Sequence, residues 1–174
     1  MQMSDTREIQ AAPADVYAAL LDPEVLKACV PGAQEVTGNP TDGYEATVVQ
    51  KVGPVKATFK GTVTMSDMVE GQRLTIEGEG KGGAAGFAKG SATVTFAPGE
   101  NGGTVLSYDV EAKVGGKLAQ LGSRLIDGFA KKMADQFFAN LQEHFEGPAQ
   151  PDESADPEAE PEKKGWLGRL TGRD

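Results

Sequence analysis

Residues 115–145 read GGKLAQLGSRLIDGFAKKMADQFFANLQEHF, with apolar side chains at Leu118, Leu121, Leu125, Phe129, Met133, Phe137 and Leu141, three or four residues apart. That spacing lines them along one side of a helix, so the stretch predicts one long α-helix from Gly115 to Phe145 with a single apolar stripe. A striped helix needs an apolar surface to cover. Residues 44–113 supply one, because apolar and polar side chains alternate there with period two in runs broken by turn residues. The runs predict antiparallel strands at about 44–52, 54–66, 72–80, 86–97 and 103–113. EGQ at 70–72 and NGG at 101–103 mark hairpins. The N-terminal SDTREIQ is a further candidate strand with a poorer pattern.

Between that segment and the sheet, AAPADVYAALLDPEVLKACVPG (residues 11–32) reads as two short helices in series. Pro13 and Pro23 each open one, Asp22 caps the second, and Pro31 with Gly32 stops it. The expected fold is α+β: a curved antiparallel sheet of six or seven strands wrapped around the long C-terminal helix, with two short helices after the first strand.

The side chains that the sheet turns toward the helix are unusually small. In VKATFKGTVTM the inner set is Val55, Ala57, Phe59, Gly61, Val63 and Met65, and the next strands place Gly78, Gly80, Ala88, Gly90 and Ala92 on the same face. A close-packed interior fills its volume, so small residues opposite a bulky helix mean close approach or a space. The helix offers only Gly122 and Gly128 for close approach, which favours an apolar cavity between sheet and helix. Its expected lining is Phe59, Gly61, Gly78, Ala92 and Tyr108 from the sheet and Leu121, Leu125, Phe129 and Met133 from the helix. Phe87, in the glycine-dense GEGKGGAAGFAKG, is expected to gate it.

Three runs, VGPVKATFKG, GEGKGGAAGFAKGSA and GGKLAQLGSRLIDGFAKKMADQFF, following ACVPGA, resemble the G-subunit family of carbon monoxide dehydrogenases over roughly residues 1–145. The resemblance implies the helix-grip, START-like fold, related to the steroidogenic acute regulatory lipid-transfer domains, with an apolar ligand cavity under the helix. It further implies association with a molybdenum-containing carbon monoxide dehydrogenase or related hydroxylase, and a role in bringing that enzyme to the membrane.

Charge excludes one class of partner. The chain has 174 residues, a net charge of -9 and a pI near 4.7, a balance that argues against a nucleic-acid binder, since neutralising phosphates calls for a strongly basic surface. Cys29 is the sole cysteine, so a disulfide within the chain and a thiolate metal cluster are both excluded. With no signal peptide or membrane-spanning stretch legible, a cytoplasmic location is expected. His144, the sole histidine, is placed at the end of the long helix, where interaction with the helix dipole outweighs acid–base work. No general acid, base and nucleophile converge on the expected cavity, and an enzyme is not expected.

The C-terminus has its own organisation. Residues 146–162 carry seven acids, no base and four prolines, which reads as a disordered linker after a folded domain of residues 1–145. The charge then reverses. Residues 163–174 carry Lys163, Lys164, Arg169 and Arg173 against Asp174, with Trp166, Leu167 and Leu170 on one narrow stripe. Tryptophan and leucine suit the membrane interface and the basic groups suit anionic lipid, so this tail is expected to bind a membrane surface reversibly, with the protein peripheral at its inner face. Cavity, tail and resemblance together lead to a carrier that recruits the dehydrogenase and holds a lipophilic acceptor, a quinone being the candidate ligand. The alternatives are an anchor or assembly factor independent of the cavity, and, less consistent with the few polar inner residues, a cyclase-like enzyme.

Overall fold

The computed structural model describes residues 1–146. The expected acidic linker beyond Glu146 and the basic tail at 163–174 lie outside the described residues. In chain order the elements are β1 (Gln2–Ile9), α1 (Pro13–Leu21), α2 (Pro23–Cys29), β2 (Ala33–Asn39), β3 (Gly43–Val52), β4 (Val55–Val69), β5 (Arg73–Lys81), β6 (Phe87–Pro98), β7 (Thr104–Gly115) and α3 (Ser123–Glu146). The seven strands form one antiparallel sheet in the order β1-β7-β6-β5-β4-β3-β2. Met1–Gln142 make one compact unit, and the last residues of α3 belong to a second, beginning at Glu143.

Local signals explain the short helices. Pro13 and Pro23 sit at helix starts, where their missing N–H costs nothing, and the Asp22 carboxylate accepts the Glu24 N–H at 2.9 Å. Val16, Tyr17 and Leu20 are then buried against the sheet, with Tyr17 edge-on to Phe96 at 5.7 Å between ring centres. Tyr44 ties the same end together by donating its hydroxyl to the Leu21 carbonyl at 2.6 Å. Cys29 is buried, and burial pushes its thiol pKa up, which keeps it protonated and unreactive.

One expectation needs correction. The long helix does not begin at Gly115: Gly116–Leu121 is a 3-10 segment, and Gly122, at φ 91°, separates it from α3. Leu118 and Leu121 therefore do not share the helical stripe, and the phase restarts at Ser123 so that Ile126 is buried while Leu125 is 39% exposed. β2 brings the sheet to seven strands, within the expected six or seven, although period two does not reveal it. Among its residues only Val36 and Ala33 are half-buried, so this edge strand has almost no apolar rhythm.

The sheet has two packed ends. At the end formed by the β3–β4 hairpin and the connections β5–β6 and β7–α3, Val52, Leu118 and Ile126 make a buried cluster, with Val55, Phe59, Val114, Leu121 and Phe129 packed on it. At the other end Ile9, Leu74, Val94, Phe96, Leu106 and Leu141 are buried with α1. Across the sheet, register aligns Ala46, Gly61, Gly80, Ala88 and Val114 in one row and Tyr44, Val63, Gly78, Gly90 and Ala112 in the next. These rows run between the two ends.

Candidate functional site

The small-residue rows do not serve close approach of the helix, since α3 meets the sheet through side chains and not by backbone contact. Gly61 and Gly90 are small for a different reason. A Cβ at Gly61 would lie 2.5 Å from the Glu79 carbonyl oxygen, and one at Gly90 would lie 2.6 Å from that of Glu111, so neighbouring strands fill the space. At Gly78 the nearest atoms to such a Cβ are at 3.5 Å, an ordinary contact, so the absence of a side chain there is not forced by the backbone. Along the inner face Gly61, Val63, Gly78, Gly80, Ala88, Gly90, Ala92 and Ala112 are half-buried between two packed ends, and Gly78, Gly90 and Ala112 also floor a depression of the outer face beside Thr62, Glu79 and Lys89.

The expected lining residues gather in several places. Phe59, Leu121 and Phe129 pack on the Val52–Leu118–Ile126 cluster, and the Phe59 ring covers Gly82 so closely that a Cβ there would lie 2.6 Å from it. Gly61, Gly78 and Ala92 lie on the half-exposed inner face. Leu125, Phe129 and Met133 line an open groove of about 810 Å3 between α3 and the β3 end, closed by Pro31, Gln50 and Gly53. Its volume is within the range of pockets that hold drug-sized ligands. Tyr108 is buried at the far side of the interior, stacked on Phe138 at 5.2 Å.

Phe87 is not on this face. It pairs with Lys81 and Gly115, and its ring lies on the Gly115 backbone, where a Cβ would come within 2.2 Å of it. Lys60 and Lys81 share that row, so Phe87 belongs to the outer face of the sheet and does not gate the interior.

The interior has a polar element that the sequence does not reveal. Arg7, on the same face of β1 as Ile9, donates to the Asp135 carboxylate of α3 at 2.5 Å and to the Tyr108 hydroxyl at 3.2 Å. Its guanidinium lies over the rings of Phe138, at 5.1 Å, and Tyr108, at 6.0 Å. Its Nε is buried with no hydrogen-bond partner among the described residues. That one donor of the guanidinium is unpaired, while the rest of the group holds a half-exposed carboxylate at the edge of the interior.

The pair has a pH signature. The Arg7 hydrogen bond, helped by Lys131, holds the Asp135 carboxyl below the ordinary carboxylate range. A depressed folded-state pKa contributes stability that is present above the unfolded value, about 4, and is lost as pH falls through the folded one. Thermal stability is therefore expected to fall below about pH 4, and Arg7→Met is expected to move the Asp135 carboxyl upward when followed by NMR. An unchanged Asp135 titration in that variant contradicts the pairing.

A seven-stranded antiparallel sheet wrapped on one long C-terminal helix, with half-exposed apolar residues between them, is the helix-grip architecture of START-like domains. Solved structures agree. A conserved protein from Geobacillus kaustophilus superposes with a TM-score of 0.78 at 25% identity, over 84% of this chain and 95% of that one. A START superfamily protein from Mycobacterium smegmatis gives 0.63 at 14% identity, over 83% and 97%, and a Thermus thermophilus protein gives 0.64 at 17%, over 86% and 100%. The latter two speak to the fold alone. A search of curated proteins finds no match. The family model of the carbon monoxide dehydrogenase G subunit (CoxG) matches residues 6–146, and the chain belongs to that family. Among the described residues no helix is long and apolar enough to cross a membrane, and no group of His, Cys, Asp and Glu is arranged to hold a metal.

Proposed function

We propose that this protein is a carrier of a lipophilic ligand, with a quinone as the ligand class, serving a molybdenum-containing carbon monoxide dehydrogenase or related hydroxylase at the membrane. The observation that carries the reading is the half-exposed apolar inner face between two packed ends, with room at Gly78. Arg7 adds to it. A quinone is an apolar body with carbonyl acceptors, and the unpartnered Arg7 Nε is a donor beside the aromatic pair Tyr108 and Phe138. The groove along Leu125, Phe129 and Met133 is the proposed way in. The family's name supplies the partner enzyme.

The protein so described binds and carries, with no catalytic residue. Of the inner-face tyrosines, Tyr44 gives its hydroxyl to the Leu21 carbonyl and Tyr108 receives a hydrogen bond from Arg7. Recruitment is assigned to Lys163, Lys164, Trp166, Leu167, Arg169 and Leu170 on their residue types alone. Interfacial Trp and Leu plus three or four basic groups give reversible binding, not permanent insertion.

Flotation with anionic vesicles and the purified dehydrogenase tests recruitment. The chain lacking residues 163–174 is expected to carry at least about tenfold less enzyme to the vesicles, in line with the loss of three or four basic contacts, while still binding its ligand. Equal flotation with and without the tail means that the tail does not recruit.

A further inference from the structure

Charge is segregated on the folded domain in a way that the carrier function does not use. The segments 50–60, 80–90 and 112–126 contain eight basic residues and no acidic one, in a chain whose net charge is -9. These are the β3–β4 hairpin, the β5–β6 connection and the β7–α3 connection, and the fold brings all three to the same end of the sheet, where Val52, Val55, Leu118 and Ile126 pack together. All eight basic side chains are exposed, and none forms an ion pair among the described residues. Glu79 stands opposite Lys89 and in one row with Lys113, and Asp127 follows Arg124 by three residues, whereas Lys51 faces Lys56 and Lys60 faces Lys81, so these four lysines have only like charge across the register.

Two large apolar side chains are exposed in the same region. Phe87 is 42% exposed on the outer face, directly paired with Lys81, with Lys89 two residues along its own strand and Lys113 diagonal to it. Glu79 is in the next outer row, opposite Lys89, and no carboxylate shares the row of Lys60, Lys81 and Phe87. Leu125 is 39% exposed beside Arg124, over Gly53 of the β3–β4 hairpin. An aromatic ring in a field of lysines is a combination that bilayer interfaces select: the ring enters at headgroup depth while the lysine stems lie along it and their ammonium groups meet phosphate. A surface evolved only for solubility has no need of the exposed ring.

We propose that this end of the domain is a docking surface for a bilayer containing anionic lipid, separate from the C-terminal tail. Docking there turns toward the membrane the rim of the groove that holds Lys51 and Arg124. The surface stands whether or not the interior holds a quinone, since its lysines and Phe87 face away from the interior.

The test uses the full chain and vesicles of phosphatidylcholine with or without phosphatidylglycerol. Each lysine near an anionic surface contributes about fivefold in affinity, so the triple variant Lys56→Glu, Lys60→Glu, Lys81→Glu is expected to bind the anionic vesicles about 100-fold more weakly or worse. Phe87→Ser is expected to weaken binding several-fold, and Arg73→Glu, at the opposite end of the sheet, to leave it unchanged. In a chain already carrying Trp166→Ser and Leu170→Ser, the triple variant is expected to remove the remaining anionic binding. Lipid extracted from the triple variant is expected to match the wild type, which keeps this result separate from the carrier function.

Wild-type affinity in the triple variant overturns the proposal. So does loss of vesicle binding with the tail substitutions alone, leaving nothing for the triple variant to remove. A triple variant that floats normally but no longer carries the dehydrogenase also overturns it, and marks the surface as an enzyme-binding face.

Discussion

Leu141→Ala is expected to lower the unfolding free energy by about 3 kcal/mol, within the 2–5 kcal/mol usual for a buried leucine truncated to alanine. Leu141 is fully buried. Its neighbour Asn140 donates its amide to the Cys29 carbonyl at 2.9 Å, which fixes this part of α3 against the end of α2. For a domain of this size each kcal/mol corresponds to about 2–4 °C in Tm, so a fall of roughly 6–12 °C is expected. Leu125→Ala provides the contrast on the same helix. Leu125 is 39% exposed, and its truncation is expected to cost under about 1 kcal/mol. Calorimetry on the two variants measures the difference, and equal costs contradict the assignment of the helix phase.

Gly61→Leu and Gly78→Leu are expected to part company even more sharply, although both glycines lie in adjacent rows of the inner face. At Gly61 even a methyl collides with the Glu79 carbonyl, and the strands must separate to admit a larger group. The overpacking cost of about 1–3 kcal/mol seen in yielding cores is a lower bound where the obstacle is backbone, so Gly61→Leu is expected to be unfolded or grossly destabilised. At Gly78 the first carbon of a side chain meets only ordinary contacts, and the rest extends over the half-exposed inner face. Gly78→Leu is therefore expected to fold, with a Tm within a few degrees of wild type, and to occupy the proposed ligand space. Circular dichroism and thermal melts decide this before any ligand is added. If Gly78→Leu fails to fold, the inner face at Gly78 has no room for a ligand.

The difference between these glycines also marks the limit of what the sequence discloses. Alternation of VKATFKGTVTM correctly gives the inner and outer faces of β4, since Lys56, Thr58, Lys60, Thr62 and Thr64 are exposed and their neighbours half-buried. The same pattern cannot say whether an inner glycine is small for a ligand or for a neighbouring strand, because that depends on the cross-strand register. Helix phase fails for a similar reason: GGKLAQLG has helical spacing but turns at Gly122, and only the break shows that Ile126, not Leu125, is the buried residue. Phe87 reads as a gate because it ends a glycine-rich loop, yet pairing with Lys81 sends it to the outer face. Arg7 is hidden most deeply. A charged residue in the weakly patterned SDTREIQ reads as solvent-exposed until α3 brings Asp135 to it across 128 positions of sequence.

The proposed ligand, a lipophilic one, lies in the space under α3, and its presence can be measured. Mass spectrometry of an organic-solvent extract, from protein purified gently out of its own host beside the folded Gly78→Leu variant, tests it most directly. A quinone is expected in the wild-type extract, near one per chain, with little or none in the variant. A wild-type extract with no lipid, or equal lipid in both extracts, contradicts a carrier with its site beneath the helix.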